Sequence, residues 1–152
     1  MESHGWHLFV HPLFESQLKK LTDRVARLAS RDPLGYTSHP TAKMLATIHH
    51  YVRDAIPRNP NSPEFRQGNT LGAGNRHWFR AKLHARYRLF YRFSTSQKVI
   101  VYVWVNDETS LRKAGSKTDA YAVFKSMLES GDPPGSFAEL MRASKRYSAA
   151  SL

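Results

Sequence analysis

A mixed fold, α+β within the broad α/β class, is what this 152-residue sequence predicts: an N-terminal helical hairpin packed on a small antiparallel β-sheet, followed by a C-terminal helix. Three observations carry that expectation. Apolar residues recur at helical spacing between Phe14 and Ile56, alternate with period two between Phe79 and Phe93, and return to helical spacing between Tyr121 and Leu128.

The chain opens with Trp6, Leu8 and Val10 alternating with His7, Phe9 and His11, a short strand that stops at Pro12. Proline is tolerated at a first helical position, because its missing N–H would have no intrahelical partner anyway. A helix therefore follows, with Phe14, Leu18, Leu21, Val25 and Leu28 on one side and Lys19, Lys20, Asp23, Arg24 and Arg27 on the other, until Asp32-Pro33 stops the pattern. A second run, Leu45, Ile48, Val52 and Ile56, ends at Pro57, and the short connection favours an antiparallel helix pair. The stretch RNPNSPEFRQGNTLGAGN is rich in Pro, Gly and Asn and predicts a long loop.

Two half-buried strands account for the next pattern, in which Phe79, Ala81, Leu83, Tyr87, Leu89, Tyr91 and Phe93 alternate with mostly basic residues. KVIVYVWV, residues 98–105, is almost continuously apolar and β-branched, as expected of a central strand. Ser116 and Asp119 have the spacing of a capping box ahead of Tyr121, Phe124 and Leu128, which predicts a third helix up to Gly131. SFAEL offers one more short turn. About 132–152 is expected to be a loosely ordered tail of a single domain spanning 1–152.

Lys and Arg number 23 against 12 Asp and Glu, a formal charge of +11. Such a field attracts phosphates, acidic proteins or anionic lipid. With no cysteine, disulfides and thiolate chemistry are excluded, which suits a reducing cytosol, and no segment approaches membrane-spanning length.

The alternation in residues 79–93 has a consequence for charge. If its apolar residues pack on the helices, the pleat sends Arg80, Lys82, Arg86, Arg88 and Arg92 to the opposite face. Between Phe65 and Asn106 there is no Asp or Glu to balance them. Long basic side chains can lie along a sheet with their heads in water. Five on one face without an acidic partner point instead to phosphate, and the interleaved rings suit single-stranded RNA. The same lack of carboxylates argues against a two-metal nuclease. RNA carries its own nucleophile, the 2′-hydroxyl, so cations that orient it and stabilise the transition state suffice for cleavage. No cofactor is expected.

These residues resemble the RelE-like toxins of type II toxin–antitoxin systems, and among them the YhaV toxins. The blocks GWHLFVHP, NPNSPEFRQGNTLGAG, RAKLHARYRLFYRF and WVNDETSLRKAGSKTDAYAVFKSML carry the resemblance over most of the chain. It implies a RelE-like fold, RNase activity against mRNA that is commonly ribosome-dependent, and inhibition by an AbrB-like antitoxin of the PrlF type. It also implies operator DNA binding by the toxin–antitoxin complex. By position it implies catalytic roles for Arg80, Lys82, Arg88, Arg112 and Tyr121. The residues themselves offer His84 and Glu108 for proton transfer, or equally as a solvated strand residue and a turn acid, and Arg86, Arg92, Lys113 and Lys117 as a phosphate track.

Competing signals are weaker. Neither His4, His7 and His11 nor the pair His49-His50 has a metal-ligand spacing, and Gly68, Gly72 and Gly74 lack the GKS or GKT of a phosphate loop. A non-catalytic nucleic-acid-binding module, acting with its antitoxin as a co-repressor, would use the same cations.

Overall fold

The computed structural model describes residues 1–148. A two-residue strand β1 (Glu2–Ser3) turns back into β2 (Trp6–Val10), after which the chain enters α1 (Pro12–Arg31). Helix α2 (Pro40–His50) follows. Both helices begin at a His-Pro pair, and in both the histidine Nδ1 accepts the second helical N–H, from Leu13 to His11 and from Thr41 to His39, at 3.2 Å each. Helix α2 does not stop where Pro57 suggested. It widens through a π turn, Tyr51–Ala55, into the short α3 (Ile56–Arg58). Pro57 cannot donate to the carbonyl of Arg53, four residues earlier, and Ser3 Oγ takes that carbonyl at 2.5 Å.

Strands β3 (Phe79–Leu83), β4 (Tyr87–Ser94) and β5 (Val99–Val105) come next, then α4 (Ala120–Ser130), α5 (Phe137–Ala143) and β6 (Lys145–Arg146). Gly131, at φ 85°, ends α4 in the left-handed conformation that glycine adopts without cost. The strands form one sheet in the order β1-β2-β5-β4-β3, with β6 also on β2.

That sheet is mixed, which corrects the antiparallel expectation. β2 and β5 are parallel, with Leu8 beside Ile100 and Val10 beside Tyr102. Parallel neighbours need a long crossover, and the helices and the β3–β4 pair lie between these two strands in sequence. Both are apolar on both faces, as strands covered on two sides are. The capping expectation shifts as well: Asp119, not Ser116, is the N-cap of α4.

The sheet is buried on both sides. One cluster joins Phe14 and Leu18 of α1, Leu45 and Ile48 of α2, and Val52 and Ile56 to Leu8, Ala81, Leu83, Leu89, Tyr91, Ile100 and Tyr102. The other joins Tyr121 and Phe124 of α4, Leu140 of α5, and Leu71 and Trp78 of the long loop to Phe90, Val101, Val103 and Trp104. A bulge between Phe90 and Tyr91 leaves Val103 without a partner and puts it on the same side as Trp104. The face expected to lie open as a basic surface is therefore covered. Nor is the C-terminal segment loose: α5 packs through Leu140, β6 pairs with β2, and Tyr147 is fully buried with its hydroxyl accepting from Arg53 Nε at 3.0 Å. Only residues 149–152 of the expected tail lie outside the described residues.

Candidate active site

The covered face ends in cations. Register places Arg80 opposite Phe90 and Lys82 opposite Arg88, so the aromatic interior made by Phe90, Trp104 and Phe124 gives way, within one residue pair, to guanidinium groups. Arg80 and Arg88 are 8% and 7% exposed. They are not solvated side chains lying along a sheet.

What brings them together is Tyr121, the second residue of α4. Its hydroxyl oxygen accepts from Arg80 Nε at 2.9 Å and from Arg88 Nε at 3.1 Å, which uses both of its lone pairs. Its own proton has no acceptor among the described residues. Arg80 Nη1 donates to the Glu64 carbonyl at 2.8 Å, and Arg88 Nη1 to those of Ala85 and Tyr87. The Nη2 of each arginine has no partner among the described residues, yet neither is sealed from solvent.

Arg112 closes the group from the loop between β5 and α4. Its guanidinium carbon lies 4.7 Å from the centre of the Tyr121 ring, and its Nη1 donates to Asp119 Oδ1 at 2.8 Å. Asp119 is buried and fully occupied, since its oxygens also accept the backbone N–H of Lys113 at 2.6 Å and of Tyr121 at 3.1 Å. Burial alone would raise this carboxyl, but the hydrogen bonds from Arg112 and Lys113 outweigh it and hold the group below its ordinary range. One carboxylate thus orients Arg112 and caps the helix that carries Tyr121, which leaves Arg80 and Arg88 unbalanced. Asn106, also buried, ties the loop to β4 by accepting from Arg88 N and donating to the carbonyls of Arg86 and Ser110.

The other expected residues fall in three places. Lys82 is exposed beside Arg88 with its ammonium unpaired, and Lys113 and Lys117 are exposed on the loop next to Arg112. Arg86 sits in the β3–β4 turn rather than on β4, donating to the Arg112 carbonyl at 3.1 Å. Arg92 is diverted into structure: it lies over the Trp78 and Phe137 rings, donates to the Gly135 carbonyl, and has its proton affinity lowered by burial. His84 and Glu108 are not brought to the cluster. His84 is in the turn at φ 48°, bonded to Thr47 Oγ1 at 3.0 Å, and Glu108 lines with it a separate groove beside α1 and α2. Sequence reasoning missed Asp119 and Asn106 as the residues that set Arg112 and Arg88. The signal was weak: one acidic residue after SKT and an Asn at a strand end.

Among the described residues no group of three His, Cys, Asp or Glu could hold a metal ion, and no helix is long and apolar enough to cross a membrane. Fold and cluster together define a small basic α/β protein in which three arginines converge on one tyrosine at the end of a covered sheet face. Residues 8–145 match the family of YhaV toxins, described as a toxin with endonuclease activity, of toxin-antitoxin system. The chain is 45% identical over 140 residues to the ribonuclease toxin YhaV of Escherichia coli K12, covering 91% of both proteins, and equally so to toxin YhaV of Escherichia coli O157:H7. Toxin YhaV of Escherichia coli O6:H1 matches at 45% over 138 residues, 90% of each chain. No solved structure matches significantly. The chain belongs to the YhaV toxin family, an endonuclease toxin of a toxin–antitoxin system.

Proposed function

We propose that this toxin, associated with the ribosome, cleaves mRNA in the bacterial cytoplasm in a RelE-like fold, by metal-free chemistry that its own residues complete, until a PrlF-type antitoxin neutralises it. The observation that carries the reading is the pair of buried arginines, Arg80 and Arg88, held on one tyrosine hydroxyl with no carboxylate between them and an open Nη2 on each. Burying two guanidinium groups without a counter-ion costs several kcal/mol, on the order of what an anion bound there would return. A scissile phosphate supplies that anion. Arg80, Arg88 and Arg112 then stabilise the charge that builds on its non-bridging oxygens, with Lys82 beside them and Lys113 and Lys117 along the flanking backbone. The 2′-oxygen attacks phosphorus and the bond to the 5′-oxygen breaks. Tyr121 gives its free hydroxyl proton to the departing 5′-oxygen, and the 2′-hydroxyl proton passes to solvent. The products are a 2′,3′-cyclic phosphate and a 5′-hydroxyl.

Because the sheet face is covered by α4 and the loop, an antitoxin reaches the cluster at the edge formed by Lys82, Arg112 and Lys117, and acidic side chains are expected to supply the contact. Purified protein with end-labelled RNA in excess EDTA tests the chemistry: cleavage is expected to persist, and a single 2′-deoxy nucleotide immediately 5′ of the cut is expected to abolish it. Activity that needs Mg²⁺ and leaves a 3′-hydroxyl would overturn the mechanism.

A further inference from the structure

On the same side of the sheet, where the start of α1 meets the end of α4, lies a cavity of about 650 Å³ that the proposed chemistry does not use. Its wall is mostly apolar, with a few polar groups converging on it. His11 is 4% exposed and lines it. As N-cap of α1, His11 receives the Leu13 N–H on Nδ1. A neutral imidazole accepting at Nδ1 must carry its proton on Nε2. Nε2 has no partner among the described residues and is not sealed, which leaves an N–H donor free on a ring that lines the cavity. Burial lowers the proton affinity of His11, against a smaller opposing effect of Asp132, which keeps this neutral tautomer at physiological pH.

Trp104 forms the neighbouring wall, and its ring continues the stack of Phe90 and Phe124. Its indole N–H is also unpartnered but open, in contrast to that of Trp78, which is sealed without a partner. Lys20 and Ser16 add donors, and the Asp132 carboxylate adds an acceptor. Beneath α4, the buried Phe90 ring links this wall to the arginine cluster: its centre is 5.9 Å from that of Trp104 and 5.7 Å from that of Tyr121.

We infer that this cavity is a nucleobase-binding site that takes a base of the same RNA strand flanking the cleaved bond, and so sets where the toxin cuts; the inference rests on the ribonuclease reading above. An aromatic wall in a mostly apolar lining fits a planar ring. Donors facing one carboxylate fit guanine best among the four bases, because it offers O6 and N7 as acceptors and an exocyclic amine as donor.

Free nucleosides separate this site from phosphate binding. Full-length ¹⁵N-labelled protein is titrated with guanosine, adenosine, cytidine, uridine and, separately, inorganic phosphate, following the Trp104 indole N–H assigned by Trp104→Phe. Guanosine is expected to move that resonance, with phosphate leaving it in place and moving arginine signals instead. His11→Asn retains a good helix cap but loses that free N–H. It is expected to weaken guanosine binding about tenfold, the loss of roughly one hydrogen bond. In cleavage mapping, His11→Asn and Trp104→Phe are expected to cut RNA with relaxed base preference. No shift at Trp104 with any nucleoside would overturn the site, as would unchanged cut positions in both variants. Guanosine binding at Trp104 by a wild-type protein that cuts no RNA would instead keep the base site and overturn the ribonuclease reading.

Discussion

The two faces of the sheet are equally buried but carry opposite kinds of polar group. Under α1 and α2 two buried phenols are neutral and closed: Tyr91 donates to the Pro60 carbonyl at 2.6 Å and Tyr102 to the Val52 carbonyl at 2.7 Å. Desolvation pushes both phenols far above the usual tyrosine range, so neither ionises. Under α4 the buried polar atoms are charged and open, with Arg80 and Arg88 on Tyr121. A satisfied hydroxyl holds the fold together. An unbalanced guanidinium stores a binding site, and the difference lies in whether the protein itself completes the hydrogen bonds.

Substitution at the charged face is expected to have the largest effect. Arg88→Met, which keeps most of the side-chain volume, is expected to lower cleavage on the order of 10² to 10³ by removing a transition-state donor. The same change removes a desolvated charge, so thermal melting is expected to show a Tm no lower than the parent's. A variant that cuts normally, or that unfolds, would erase the contrast between the faces.

The mirror experiment is Tyr91→Phe. It leaves the Pro60 carbonyl buried without a donor and is expected to cost about 1–3 kcal/mol in denaturant unfolding, with the cleavage rate unchanged once the protein is folded.

Asp119→Asn tests the carboxylate that holds Arg112. An amide still caps α4 but no longer pairs with Arg112, so kcat is expected to fall about tenfold, the worth of roughly one charge-assisted hydrogen bond. Because the folded state holds the Asp119 carboxyl below its usual value, its stabilising contribution is complete above about pH 4 and is lost as pH falls through the lowered value. Melting temperatures measured across that acid range are expected to fall less steeply in the variant than in the parent.

The smallest effect belongs to Lys82, exposed and unpaired. Lys82→Ala is expected to leave the Tm unchanged and to reduce the slope of log affinity against log salt by about 0.7, the release of one counterion from single-stranded RNA. An unaltered slope would remove Lys82 from the phosphate path.

Much of this molecule was written in local order. Pro12 and Asp32 bounded α1, period two located β3 and β4, and the apolar run 99–105 marked β5 as central, because these signals depend only on neighbours along the chain. The lack of carboxylates between Phe65 and Asn106 was likewise legible before any fold was known. Pairing was not legible. That β2 lies parallel to β5, that α4 and Trp78 cover the second face, and that Tyr121 rather than His84 meets Arg80 and Arg88 all depend on segments far apart in sequence. Sequence alternation says on which side of a strand a side chain leaves; it does not say what will be packed there. Arg80 and Arg92 share one alternation, yet one ends on the Tyr121 hydroxyl and the other between Trp78 and Phe137, because only the tertiary structure decides which ring or helix arrives above each position.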